Sequence, residues 1–176
     1  MRYKVTFLLM TLVMTLVMTL VMAGEAFSHE LKNEPSHAQF ESWAYDDYRM
    51  VAENTRTLWF VDYYDIRHLK SKEGDSALLL TFTPEKLTQG KVTTATIEAL
   101  EESNPGINMK DSNIQKLVDS LSMPLIKGDV IAIIYRGETM QIQYNNDVVY
   151  QAKASSKQSV ALRNIWLGET PVDDLL

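Results

Sequence analysis

The C-terminal segment 161–173 constrains the fold of this chain more than any other segment. Its amphipathic first half leads directly into Trp166 and Gly168, and Pro171 follows. This order is typical of a helix that ends at a glycine, because glycine adopts the left-handed conformation that closes a helix and proline prevents its continuation. Trp166 has helical spacing with Leu162, so we expect the indole to be largely buried in a core.

The region before this helix predicts antiparallel strands. Met140, Ile142 and Tyr144 alternate with two glutamines, which is the pattern of a strand with one face toward a core. Residues 145–147 read Asn-Asn-Asp, and these residue types tolerate the positive φ of a tight hairpin. Further apolar runs predict strands over residues 77–82, 130–135 and 148–150.

Two more helices are predicted in the middle of the chain. In the clearer one, the apolar residues at 114, 117, 118 and 121 form one helical face, and Ser112 and Gln115 have the spacing of a capping box. The other should begin at Thr83, which precedes a proline and an acid, and run to about Ser103. These elements together predict an α+β domain with a mainly antiparallel sheet and segregated helices.

An aromatic and β-branched run over residues 55–69 predicts one long strand. Both of its alternating sets are apolar at first, with Leu58 in one and Trp59 in the other, so both faces should be covered. A turn should follow at residues 70–75. The preceding segment, residues 40–50, is rich in aromatic and acidic residues and fits either a short helix or an edge strand.

The N-terminus has the composition of a secretory signal peptide. Arg2 and Lys4 precede an apolar run over residues 5–23, and cleavage is expected after Ala23 or Ala26. The alternative is an uncleaved anchor, because the run approaches the ~20 residues that span a bilayer. We expect a periplasmic or secreted protein. Its parts should be a signal peptide at 1–26, an N-terminal arm and edge segment at 27–53, and a folded domain at 54–176.

The composition excludes several partners and cofactors. The formal net charge of the chain is −6, which does not suit a protein that binds nucleic-acid phosphates. There is no cysteine, and His29, His37 and His68 lack metal-ligand spacing. We therefore expect no metal, no cofactor and no nucleic acid, and membrane contact only through the signal segment. His68 should be a surface residue at the end of a strand.

Three parts of the chain together resemble the bacterial chalcone isomerase-like proteins over residues 54–176. The closing motif at 165–173, Ile-Trp-Leu-Gly-Glu-Thr-Pro-Val-Asp, is similar to the family's Ile-Trp-Leu-Gly-Asp-x-Pro-Val-Asp. Lys-Gly-Asp at 127–129 precedes an apolar strand, a glycine and the hairpin 139–150, as in the family. Residues 55–64 resemble a family strand in which Arg-Thr leads an aromatic run to a tyrosine. The resemblance implies an open-faced β-sandwich, in which an antiparallel sheet packs against a layer of helices with a ligand cleft between them.

The same resemblance implies two ligand-binding residues. Plant enzymes of this fold close a chalcone ring, whereas related non-catalytic proteins hold fatty acids in the same cleft. Arg56 matches the arginine that faces the anionic oxygen of the ligand, and Tyr64 matches a position whose hydroxyl points into the cleft. From residue statistics alone, Arg56 also fits a surface arginine paired with Glu53 or Asp62, and Tyr64 also fits a core residue with a satisfied hydroxyl.

We expect an exported, non-catalytic protein that binds a small hydrophobic or amphipathic ligand, such as a fatty acid, in this cleft. The alternatives are an isomerase or lyase that acts on an α,β-unsaturated carbonyl compound, and a structural or interaction module without a ligand. An enzyme would need a positioned acid or base beyond Arg56, and only Tyr64 has a proton to give. The charged segment 65–68 also departs from the small and apolar residues of the family.

The spacing of the two candidate residues predicts a long ligand. On one regular strand, Arg56 and Tyr64 share a face because an even number of residues separates them. At ~3.3 Å per residue they would lie roughly 26 Å apart along the strand. Arg56 would then hold the head group, and Tyr64 would line the cleft further along.

Overall fold

A six-stranded antiparallel sheet and three helices form the described part of the chain, which in this computed structural model is residues 47–58, 61–172 and 176. The elements in chain order are β1 Tyr48–Leu58, β2 Val61–Ser71, β3 Ser76–Phe82, β4 Lys86–Leu87, α1 Gln89–Ser103, α2 Ser112–Leu121, β5 Leu125–Ile126, β6 Val130–Arg136, β7 Thr139–Tyr144, β8 Asp147–Lys153 and α3 Lys157–Leu167. The spatial order of the sheet is β1-β2-β3-β6-β7-β8, and β4 pairs separately with β5. The predicted α+β class, with an antiparallel sheet and a layer of helices, is confirmed.

The prediction of one long strand over residues 55–69 is wrong. β1 ends at Leu58, β2 begins at Val61, and these two residues are register partners, so the chain reverses between them. The sequence hides this reversal because the aromatic and β-branched composition of a strand continues through it, without the glycine or asparagine that usually marks a two-residue hairpin. β1 is an edge strand that starts at Tyr48, so residues 48–50 fit the edge-strand option, whereas residues 40–46 lie outside the described residues.

The main core lies between one face of the sheet, called here the inner face, and the helices. Inner-face side chains such as Ile66, Leu78 and Ile133 pack with the apolar faces of the helices, where Leu117 and Leu162 are fully buried. Residues of the opposite, outer face, including Leu79 and Ile134, form a separate small cluster. Because side chains alternate along each strand, residues 64, 66 and 68 of β2 share the inner face, and residues 65, 67 and 69 share the outer face.

The N-capping residues of both central helices differ from the predicted ones. Thr83 does not start α1, because its backbone N–H donates to the Tyr63 carbonyl and its hydroxyl donates to the Asp62 carbonyl, which holds it against the sheet. α1 begins five residues later, where the Thr88 side chain accepts a hydrogen bond from the backbone of Lys91. α2 has the predicted apolar face, but its cap is Asp111, which accepts from the Asn113 N–H at 2.9 Å, rather than Ser112.

The C-terminal helix ends as predicted at Leu167, but for a different reason. Gly168 has φ −83° and ψ −176°, an extended conformation open to any residue, so the expected left-handed conformation is wrong. A Cβ at this position would lie 2.8 Å from Cα, Cβ and the carbonyl oxygen of Asn164. Glycine is therefore required by close approach to the last helical turn. Trp166 packs against the core but is only half-buried, contrary to the expectation of a largely buried indole.

The buried carboxylate of Asp129, just before β6, accepts hydrogen bonds from β5 and from the end of β7. One of its oxygens accepts from the backbone N–H of Ile126 at 2.8 Å and from the Tyr144 hydroxyl at 3.0 Å. The other accepts from the Asn145 amide at 2.9 Å. Asn145 and Asn146 have φ of 48° and 76°, which confirms the predicted tight hairpin between β7 and β8.

The predicted signal peptide at 1–26 lies outside the described residues, as do residues 27–46 of the predicted N-terminal arm and edge segment. Within the described residues, no helix is both long and apolar enough to cross a membrane.

Candidate functional site

Arg56 and Tyr64 face each other across the β1–β2 pair. They are register partners, which brings their Cα atoms to roughly 5 Å. The prediction that they lie far apart along one strand is therefore wrong, because the chain reverses between them. Directly opposed residues of an antiparallel pair share a face, so Arg56 lies on the inner-face side with Tyr64. A register shift follows Arg56, where the strand pair is irregular.

Tyr64 belongs to the core but keeps a polar contact. It is 8% exposed, and its ring meets the Phe82 ring edge-on at a centroid distance of 5.7 Å. Its hydroxyl accepts a hydrogen bond from the Trp166 indole N–H at 3.0 Å. Within the described part of the chain, no acceptor takes the proton of this hydroxyl, so the group can still donate to a ligand oxygen.

Arg56 is half-buried on the edge strand. Glu53 and Asp62, the two acids weighed above as surface partners of Arg56, each contact another side chain. Glu53 lies 3.5 Å from the Arg67 guanidinium on the outer face, and Asp62 accepts from the Thr57 hydroxyl at 2.6 Å. A half-buried guanidinium beside a buried phenol is an arrangement that favours binding of a carboxylate, since partial removal from water strengthens a charge-assisted hydrogen bond.

His68 is not the surface residue that the sequence suggested. It lies in the middle of β2 on the inner face, opposite Leu78, and it is 8% exposed. Among the described residues, none offers a hydrogen-bond partner to its buried Nε2 atom. Burial, and then the charge of Lys70, lowers the pKa of His68 below its ordinary value, so the imidazole is neutral at neutral pH.

The helix α3 is tied to the inner face at two points. Near its start, the buried Tyr135 hydroxyl donates to the Ser159 carbonyl at 2.7 Å. Near its end, Trp166 donates to Tyr64. Burial raises the pKa of Tyr135 far above its ordinary value, so this hydroxyl keeps its proton and remains a donor.

A broad open depression of about 890 Å³ lies elsewhere, between the end of α1 and α3. Its lining is mainly polar and includes Asn104, Lys157, Arg163 and Glu169. Neither Arg56 nor Tyr64 lines it. In the described residues, no three His, Asp or Glu side chains are grouped so as to hold a metal ion.

Sequence reasoning missed two features of the inner face: the contact of Trp166 with Tyr64 and the burial of His68. Trp166 was expected in the core, but nothing in its helical spacing indicated that its N–H would meet Tyr64. His68 was placed at a strand end because the strand was drawn to stop at residue 69, whereas β2 runs to Ser71. The alternation of Tyr64, Ile66 and His68 along one strand was the signal that could have placed His68 on the inner face.

Comparison with known proteins gives a family and a fold. A family model described as chalcone isomerase-like matches residues 55–176. No curated protein matches the chain. Among solved structures, the chain is similar to the crystal structure of the Arabidopsis thaliana fatty-acid binding protein AtFAP1, with a TM-score of 0.58 and 13% identity over 77% of this chain and 87% of that chain. At this identity the likeness is one of fold.

Proposed function

Because this chain belongs to the chalcone isomerase-like family, we propose that it is a non-catalytic binding protein for an amphipathic acid with a long apolar chain. The observation that carries the proposal is the juxtaposition of Arg56 and Tyr64 across β1 and β2 on the inner face. The similar plant structure is that of a fatty-acid binding protein, which supports this class of ligand.

The two side chains supply complementary contacts to one carboxylate. Arg56 provides charge and the planar fork of donors that matches two carboxylate oxygens. Tyr64 provides a hydroxyl proton from a nearly dry position. Since they are cross-strand neighbours, both can reach the same head group. The sequence prediction had assigned the head group to Arg56 alone.

The apolar chain of the ligand would lie along the inner face of β2, beneath α3. Tyr64 is followed on this face by the fully buried Ile66, and Phe82 lies beside Tyr64 on β3. Tyr64 can donate to the ligand head group while its oxygen still accepts from Trp166, so the indole would lie directly beside the bound head group. Binding should therefore be accompanied by a change in the environment of Trp166.

Replacing Arg56 by methionine tests the head-group contact. Arg56→Met should weaken binding of octadecanoic acid by about ten- to a hundredfold, because one hydrogen bond to a charged group is lost while the apolar stem is kept. Calorimetric titration of the acid into both forms measures the change. The matched control is Arg67→Met, which removes an exposed arginine from the outer face of the neighbouring strand and should leave binding unchanged.

Two results would contradict this assignment. If the wild-type protein binds no long-chain acid, the binding function is wrong and a structural module is the better description. If Arg56→Met and Arg67→Met bind as tightly as the wild type, the acid does not use Arg56. The melting temperature of ligand-free Arg56→Met should stay close to that of the wild type, which separates lost binding from lost folding.

We also propose that the protein is exported by way of the apolar N-terminal segment. The basic start at Arg2 and Lys4 and the small residues at Ala23 and Ala26 support this proposal. N-terminal sequencing of the native protein should find a mature chain that begins near residue 24 or 27. Recovery of Met1 on membrane-associated protein would instead indicate a retained anchor.

A further inference from the structure

The imidazole of His68 is a buried polar group on the inner face, between the buried Ile66 and the exposed Lys70 along β2. Its partner on β3 is Leu78, and Leu78 in turn pairs with Ile133 on β6, both of them essentially inaccessible to solvent. Its Nε2 atom is buried and meets no hydrogen-bond partner among the described residues. Buried polar atoms are nearly always hydrogen-bonded, so an exception of this kind indicates a partner that is not part of the described protein.

The chemistry of His68 restricts what that partner is. Burial lowers its pKa, with a further contribution from the charge of Lys70, so the ring is neutral at neutral pH. A neutral imidazole nitrogen either donates or accepts one hydrogen bond. It therefore suits a hydroxyl or carbonyl oxygen, which takes part in one such hydrogen bond and brings no charge into the buried position.

The position of His68 relative to Tyr64 sets a distance. Both side chains lie on the inner face of β2, with Ile66 between them, and four residues of strand correspond to ~13 Å. An extended acyl chain with carbon–carbon bonds of about 1.5 Å covers this distance in roughly ten carbons. A chain held by its carboxylate at Arg56 and Tyr64 would thus present its middle carbons to His68.

We propose that His68 is a second polar contact for the ligand, and that the preferred ligand is a long-chain acid with a hydroxyl or carbonyl group near the middle of its chain. This inference rests on the proposed function, because the distance is counted from a carboxylate bound at Arg56 and Tyr64. His68 selects among acids, while Arg56 and Tyr64 bind the feature that all of them share.

Three acids of equal chain length test the selection: octadecanoic acid and two isomeric hydroxyoctadecanoic acids. One isomer carries its hydroxyl about ten carbons from the carboxylate, and the other carries it next to the carboxylate. The wild type should bind the mid-chain hydroxy acid about five- to tenfold more tightly than octadecanoic acid, the gain of one net hydrogen bond. The isomer hydroxylated beside the carboxylate should show no such gain. His68→Leu should abolish the preference and leave the affinity for octadecanoic acid unchanged or slightly higher.

A nitrogen NMR measurement distinguishes direct contact from an indirect structural effect. In protein labelled with ¹⁵N-histidine, the Nε2 resonance of His68, assigned by its loss in His68→Leu, should move with the mid-chain hydroxy acid and much less with octadecanoic acid. His68→Leu should fold, because leucine places no polar atom in the apolar region. His68→Gln, which keeps a side-chain donor and acceptor, should retain part of the preference.

The outcomes separate this inference from the binding function itself. If the wild type binds octadecanoic and mid-chain hydroxy acids equally, or if His68→Leu keeps the preference, the role of His68 is refuted while the binding function stands. An ordered water would then be the partner of Nε2. If no acid binds at all, both proposals fail together.

Discussion

Asp129→Ala should lower the free energy of unfolding by about 3–5 kcal/mol, since three donors lose one ionised acceptor in a nearly dry position. The backbone N–H of Ile126, the Tyr144 hydroxyl and the Asn145 amide all donate to this carboxylate. Without this carboxylate, β5, the start of β6 and the β7–β8 hairpin should be held together less firmly. Urea denaturation followed by circular dichroism measures the change.

The same carboxylate gives the stability a dependence on pH. Burial alone would raise the pKa of Asp129, but its hydrogen bonds with Asn145, Ile126 and Tyr144 outweigh burial and hold the pKa below its ordinary value. A depressed folded-state pKa contributes stability above the unfolded value of about 3.9 and loses it as the pH falls through the folded value. Wild-type stability should thus decline below about pH 4, and this part of the decline should be absent in Asp129→Ala.

Asp119→Ala is the matched control for this prediction. Asp119 is an exposed carboxylate on α2, and removing it should change the stability by less than about 0.5 kcal/mol. A loss in Asp129→Ala no greater than in Asp119→Ala would mean that solvent replaces the three hydrogen bonds and that this junction does not depend on Asp129.

Gly168→Ala should lower the free energy of unfolding by about 3 kcal/mol, at the upper end of the usual cost of overpacking. The added methyl would lie 2.8 Å from atoms of Asn164 that include the backbone Cα and carbonyl oxygen, which cannot rotate away. The last turn of α3 must therefore open or the chain after it must move. Opening of the last turn would displace Trp166 from Tyr64, so in that case a change in tryptophan fluorescence should accompany the loss of stability.

Gly90→Ala provides the opposite control. Gly90 lies in the first turn of α1, and a Cβ there would have no atom within 4 Å. This substitution should be neutral or stabilise the protein by up to ~1 kcal/mol, because alanine favours helix more than glycine does. Equal behaviour of the two alanine variants would show that the close approach at Gly168 relaxes without cost.

Local sequence signals predicted the elements whose causes are local. The helix at α2 follows from its apolar spacing, and the Asn145–Asn146 turn follows from residue types that tolerate positive φ. The hairpin between β1 and β2 was missed because the sequence at the reversal contains no typical turn residue. In addition, no local pattern indicates that Leu58 pairs with Val61. The start of α1 was missed because Thr83 makes contacts with β2 that no local pattern reveals.

The sequence could propose which residues form the candidate site, but not how these residues are placed relative to one another. Family resemblance selected Arg56 and Tyr64, and the structure brings them together although the assumed single strand kept them apart. The contact of Trp166 with Tyr64 and the burial of His68 could not be predicted from the sequence, because both depend on which elements pack over β2. The pairing of His68 with Leu78 and the burial of its Nε2 atom are properties of the aligned strands and not of the local sequence.

The hydrogen bond between Trp166 and Tyr64 joins residues that are 102 positions apart in the chain. Closing a loop of this size has a high entropic cost, so the contact belongs among the late events of folding, after the local hairpins and helices have formed. The proposed head-group residues, Arg56 and Tyr64, come from the β1–β2 hairpin, and the indole beside them comes from α3. A chain interrupted before α3 would leave the Tyr64 hydroxyl without its indole donor, so the proposed site is complete only after the C-terminal helix has packed.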